Sequence, residues 1–237
     1  MIYAAILAGG SGNRMKADIP KQFLKIGTKP IIIHSINKFL AVQQIDKIYI
    51  GVNDEWIDYC QNLIDEYILD KSKDIVLVSG GKERYDTLNN LIEKVILDNG
   101  ENKEDIFVSH DAVRPFVTTK MIEESIIAAK EYGACNTVVP ANDTIVISDD
   151  AITTDEMPER SKIFLGQCPQ SFNLFMLREL LCKLSDDEKK RLTDACKIFI
   201  LNNRTVKLIK GDASNFKITT QGDYDIACAM ASKYLND

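Results

Sequence analysis

Two rhythms of apolar residues take turns along this chain. Continuous apolar runs, the mark of strands buried on both faces, occur as IYAAIL (2–7), KIYIGV (47–52), DIVLVS (74–79), DIFVSH (105–110) and CNTVVP (135–140). Between them the spacing changes to an amphipathic helix pattern, over residues 30–42, 54–69, 85–97 and 118–132. Pro30 suits the first turn of its helix, and Asp54 is a candidate cap for the next. Strand and helix in alternation predict an α/β fold: a mostly parallel sheet with helices on both faces. No repeat or linker interrupts the pattern, so a single domain over residues 1–237 is expected.

The alternation breaks after residue 141. Residues 142–166 hold two short alternating runs, DTIVIS and KIFLG, around a polar stretch, DDAITTDEMPER. Such an excursion is either a disordered loop or a β-arm leaving the domain. Helical spacing returns over 173–184 and 186–202. TVKLIK (205–210) and NFKITT (215–220) read as short strands, and residues 223–235 as a helix.

Composition narrows the chemistry. The chain of 237 residues is 45% hydrophobic and 27% charged, as in ordinary globular proteins, and its net charge of -6 argues against general nucleic-acid binding. A small anionic ligand needs only a local basic cluster. No apolar run approaches the roughly 20 residues of a membrane span. The first ten residues lack a basic leader region, so the default expectation is cytoplasmic. Six cysteines lie scattered without a C-x-x-C pair, and there are only two histidines, His34 and His110, which is poor material for a zinc site.

Three loops could carry chemistry. LAGGSGNRMKADIPKQF (7–23) follows the first strand, where doubly wound sheets bind ligands beyond the strand ends. Its glycines let backbone N–H groups approach phosphate oxygens, and Arg14 and Lys21 add fixed positive charge. The spacing G-G-x-G is neither a P-loop nor a dinucleotide fingerprint, and a tight turn with two solvated cations accounts for it equally. SHDAVRPF (109–116) ends another strand. Its Asp111 could hold a metal-bound triphosphate or a hydroxyl and its Arg114 a phosphate, or the pair could be a cap and a surface cation. GGKERYDTL (80–88) joins a strand to a helix whose N-terminus could bind polar ligand groups, or is a plain turn.

Taken in order, LAGGSGNRM, PKQF, GGKERYDT, HDAVRPF, GQCPQSF, LTDAC and NFKITTQGD resemble the sugar- and polyol-phosphate cytidylyltransferases over essentially the whole chain. HDAVRPF, GQCPQSFN and TDACK look more like the ribitol-5-phosphate branch than the methylerythritol-phosphate branch, which more typically reads HDAARP and TDE or TDD followed by AS. The resemblance implies a Rossmann-like nucleotidyltransferase fold and transfer of CMP from CTP to a polyol phosphate, D-ribitol 5-phosphate first and 2-C-methyl-D-erythritol 4-phosphate second. CDP-ribitol would supply wall teichoic acid or capsule.

It also implies roles for residues. Leu7, Ala8, Gly9, Gly10, Ser11 and Gly12 would hold the CTP phosphates, with Gly80, Gly81, Arg84, Asp86 and Thr87 around the rest of the nucleotide. Arg14 and Lys21 would stabilise the transition state. Asp111, Ala112, Arg114, Thr144, Cys168 and Lys217 would meet the acceptor, with Asp111 also a candidate ligand of the Mg²⁺ that accompanies CTP. The arm at 142–166 would hook a second subunit in a homodimer and present Arg160 to its active site. Cys168 stands where the family usually has threonine, and a thiol is a poorer hydrogen-bond partner than a hydroxyl. Two other classes stay open: a catalytically idle nucleotide-binding protein, and a nicotinamide-dependent oxidoreductase, which the glycine spacing disfavours.

Overall fold

The computed structural model describes residues 1–10, 19–70 and 72–235. In chain order the elements are β1 (Ile2–Ala8), β2 (Lys25–Ile26), β3 (Lys29–Pro30), α1 (Ile31–Leu40), β4 (Lys47–Val52), α2 (Ile57–Tyr67), β5 (Asp74–Ser79), α3 (Arg84–Asn99), β6 (Ile106–Asp111), α4 (Thr119–Tyr132), β7 (Ala134–Pro140), β8 (Phe164–Asn173), α5 (Leu174–Cys182), α6 (Asp186–Lys190), α7 (Cys196–Leu201), β9 (Lys207–Lys210) and α8 (Gln221–Tyr234). Among the described residues a seven-stranded sheet runs β5-β4-β1-β6-β8-β7-β9. The first four strands are parallel, β8 is antiparallel to both neighbours, and β9 is parallel to β7.

Alternation within β1 shows how the layers form. Ile2, Ala4, Ile6 and Ala8 pack on one face with α1, α2 and α4, whereas Tyr3, Ala5 and Leu7 pack on the other with α3, α5 and α7. Both faces are buried, so the strand reads as unbroken apolar sequence. A third cluster sets α8 against Ile26, Ile31, Val113, Phe116 and Ile218, beside the end of β6.

Several expected elements differ. The expected helix over 54–69 opens as a 3-10 turn, Asp54–Trp56, and the capping side chain is that of Asn53, which accepts from the Glu55 N–H. The helical run over 186–202 divides into α6 and α7. Between them the Asp194 carboxylate takes the Cys196 N–H at 2.8 Å and the Gln170 amide at 2.6 Å, so a side chain replaces a turn of helix. NFKITT is not a strand: it crosses the end of β6, held by the Ile218 N–H on the Val113 carbonyl at 3.0 Å. Within 142–166 the arm has one bridge, Ile147 to Glu156, and the KIFLG run feeds directly into β8. That strand contains Pro169, preceded by a cis peptide, and the β7–β8 register shifts between Asn136 and Val138.

Candidate active site

The parallel strands β1, β4, β5 and β6 all end on one edge, and a cavity of about 430 Å³ opens there. Leu7, Ala8, Gly9 and Gly10 form one wall, the β5–α3 loop from Gly81 to Arg84 another with Thr87, and Asp111, Ala112 and Val113 the floor beside Lys217. Lys21, Lys82, Arg84 and Lys217 line it against two carboxylates, Glu83 and Asp111, so the cavity is cationic inside an acidic protein and suits a polyanion.

Asp111 is the electrostatic centre. It is 7% exposed at the end of β6. Arg84 reaches one of its oxygens at 3.2 Å and Lys217 the other at 2.9 Å, with Arg114 at 3.8 Å. Burial alone would raise its pKa, but these three cations hold the carboxyl well below the ordinary range. Arg84 in turn is raised: burial opposes its charge and Asp111 restores it.

Backbone shape in the cavity depends on close approach. A Cβ on Gly81 would lie 1.9 Å from that of Asp86, and one on Gly9 2.9 Å from Thr87 Oγ1. Thr87 Oγ1 accepts the Gly81 N–H at 3.0 Å, which ties the β5–α3 loop to its helix. The Gln22 amide donates to the carbonyls of Ala8 at 2.7 Å and Gly10 at 3.2 Å, so the turn carrying Lys21 is fastened to the glycine loop.

The expected site residues divide accordingly. Leu7, Ala8, Gly9, Gly10, Lys21, Gly81, Arg84, Thr87, Asp111, Ala112 and Lys217 line the cavity. Ser11, Gly12 and Arg14 lie outside the described residues. Asp86 turns to its own helix, where it and Glu83 form a reciprocal capping box. Gly80 donates to the Val52 carbonyl at 2.6 Å. Arg114 is committed to backbone: its terminal nitrogens donate to the Asn215 carbonyl at 2.9 Å and the Gly166 carbonyl at 3.4 Å. Thr144 and Arg160 are exposed on the arm, where Arg160 donates to the Asn142 carbonyl at 3.0 Å. Cys168 is buried, and burial pushes its thiol up to about 11, with Asp111 adding to the shift, so it stays protonated at neutral pH.

Sequence reasoning passed over Gln22, Asn53, Lys82, Glu83 and Val113, all on the cavity. Position after the PK of PKQF was the one available signal for Gln22.

Both oxygens of Asp111 are in ion pairs, so a cation there would share the carboxylate with Arg84 and Lys217. Among the described residues no group of three His, Cys, Asp or Glu side chains could hold an ion. None of the described helices is long and apolar enough to cross a membrane.

Residues 2–233 match the family IspD, 2-C-methyl-D-erythritol 4-phosphate cytidylyltransferase. Solved structures agree. The 4-diphosphocytidyl-2C-methyl-D-erythritol synthase of Anaerococcus prevotii is 25% identical with a TM-score of 0.79, covering 98% of this chain and 99% of its own. The 2-C-methyl-D-erythritol 4-phosphate cytidylyltransferase of Francisella tularensis is 25% identical with a TM-score of 0.75, covering 95% and 97%. The enzyme of that name from Thermus thermophilus, 22% identical over 98% and 100% with a TM-score of 0.74, shares the fold.

Proposed function

We propose that this chain, which belongs to the 2-C-methyl-D-erythritol 4-phosphate cytidylyltransferase family and is a CTP-dependent cytidylyltransferase, carries CMP to a linear polyol phosphate, with D-ribitol 5-phosphate as its acceptor. The observation that carries the transfer is Asp111, ion-paired to Arg84 and Lys217 and placed across one cavity from the ends of the glycine loop.

An ionised oxygen of the acceptor phosphate attacks the α-phosphorus of CTP in line. A new P–O bond forms, the bond to the β-phosphate oxygen breaks, and its electron pair leaves with pyrophosphate. The nucleophile is ionised at neutral pH, so no general base is required, and positioning and charge neutralisation supply the catalysis. Lys21 and Lys217 provide that charge, and Asp111 orients Lys217 and accepts from acceptor hydroxyls. A divalent cation accompanying CTP would neutralise triphosphate charge, and each step above is carried by residues of this chain.

The choice of acceptor rests on the resemblance of the HDAVRPF and TDACK loops to the ribitol-5-phosphate branch. Val113 of HDAVRPF lines the cavity, and Asp194 of TDACK braces Gln170 in the strand that carries Cys168. The second reading is 2-C-methyl-D-erythritol 4-phosphate. The comparisons favour it, since the family description and the named relatives all carry that substrate or its product and none carries ribitol. Pyrophosphate release from CTP with each acceptor tests both. Higher kcat/KM for ribitol 5-phosphate is expected. Preference for the methylerythritol phosphate overturns the ribitol reading alone, and CTP binding with no release on either acceptor points to the idle protein.

The arm completes the proposal. Val146, Ile152 and Met157 are exposed on it, and a second copy exchanging arms would cover both sets at once.

A further inference from the structure

Lys217 sits on a stretch without helix or strand, between β9 and α8, yet its ammonium must meet Asp111 across the cavity mouth. Two anchors hold the stretch. One is the Ile218 N–H on Val113. The other is Asn215, which is fully buried: its amide donates to the Cys168 carbonyl at 2.7 Å, and its own backbone carbonyl accepts from Arg114 at 2.9 Å. Asn215 therefore joins three chain segments two residues before Lys217: the loop after β6, strand β8 and the Lys217 stretch.

The asparagine is a costly way to fill that space. Its Oδ1 is buried without a hydrogen-bond partner, and Nε of Arg114 has only the 3.8 Å approach to Asp111. A half-satisfied buried amide weakens a fold relative to a well-packed apolar side chain. Packing alone does not account for it. We propose that Asn215 is a positioning residue, which acts on the acceptor through Lys217 by fixing the backbone from which that side chain reaches Asp111. The proposal rests on the cytidylyltransferase reading and on the place of Lys217 within it.

A double-mutant cycle tests it, with Asn215→Ala made in the wild-type chain and in Lys217→Ala. CTP affinity, measured by calorimetry, is expected to stay within about twofold, which also reports an intact fold. In the wild-type background kcat/KM for the acceptor should fall at least about tenfold, and in the Lys217→Ala background less than about threefold. Equal losses in both backgrounds, or no loss in the first, overturn the proposal. Should Asn215→Ala fail to fold, Asn215→Ser is read by the same criteria. Absence of pyrophosphate release by the wild-type chain on both acceptors overturns the underlying transferase reading instead, and is seen before either variant is made.

Discussion

The side-chain amide of Gln22 donates to the carbonyl oxygen of Ala8 at 2.7 Å, across the base of the glycine loop. Its second acceptor is Gly10, so one buried amide sets the exit direction of β1 and the position of the neighbouring Lys21. Gln22→Leu keeps the bulk and removes the donor. Leaving those carbonyls unpaired costs about 1–3 kcal/mol, and part of that falls on the nucleotide-binding shape of the loop. CTP affinity should drop about tenfold, an effect of about 1.4 kcal/mol. Calorimetric titration with CTP checks this, and unchanged affinity would mean that the loop holds its shape without the amide.

Lys21 is expected to act on the transition state more than on CTP binding. It is buried at the cavity wall, within a 3-10 turn whose Phe23 packs against Trp56 and Tyr59 at 5.6 and 5.2 Å between ring centroids. Lys21→Ala should lower kcat by about a hundredfold, as the loss of a donor to developing charge does. CTP affinity should change less than about fivefold, because several other groups hold the triphosphate. Near-normal turnover at saturating substrates would remove Lys21 from the reaction.

His110 gives the protein an acid-side weakness without a catalytic role. It is buried against Phe39, with Nε2 at 3.1 Å from the Arg114 carbonyl. Burial holds its pKa down to about 4 from the ordinary 6.5. The unfolded chain therefore takes up a proton between those values that the folded chain refuses, and stability falls as pH drops from about 6.5 toward 4. At about 1.4 kcal/mol per pH unit the window is worth about 3 kcal/mol. His110→Gln should lose that slope. Urea melts of both proteins from pH 8 to pH 4 measure it, and parallel curves would show that His110 titrates normally.

These residues also show what a sequence can disclose. β4 and β5 match the apolar runs to the residue: β4 is buried on both faces, and β5, at the sheet edge, keeps an unbroken apolar run IVLV that is half-buried against its helices. The second half of β8 was hidden, because Pro169 between Gln167 and Gln170 interrupts any strand pattern until neighbouring strands pair with it. The cavity's glycines and cations were legible as loop chemistry at strand ends. Gln22 and Asn215 were not: their partners are carbonyls distant in the chain or in another segment, and nothing in local spacing announces such a bond. The capping role of Asp86 was not legible either, since a carboxylate at the third helical position serves a cap as readily as a ligand.

Arg160 provides the sharpest test of assembly. Its guanidinium lies at the returning end of the arm, bonded to the Asn142 carbonyl and away from its own cavity lining. The arm has one β-bridge among its described residues and leaves Ile152 88% exposed, too little internal packing to hold a hairpin in water. If two copies exchange arms, Arg160 of each serves the acceptor phosphate of the other with a charge-assisted bond. Arg160→Ala and Lys21→Ala chains would then be inactive separately for different reasons. In a mixed dimer the Arg160→Ala chain keeps its own Lys21 and receives an intact Arg160 from the Lys21→Ala chain, so one site carries neither defect and the other carries both. Mixing equal amounts after mild denaturation and refolding should give about half of the dimers mixed, each with one working site, and so about a quarter of wild-type activity. Light scattering on the wild-type chain should first give the mass of a dimer. No recovery after verified exchange of subunits would place Arg160 in the service of its own chain or of no site, and a monomeric mass would remove the shared site altogether.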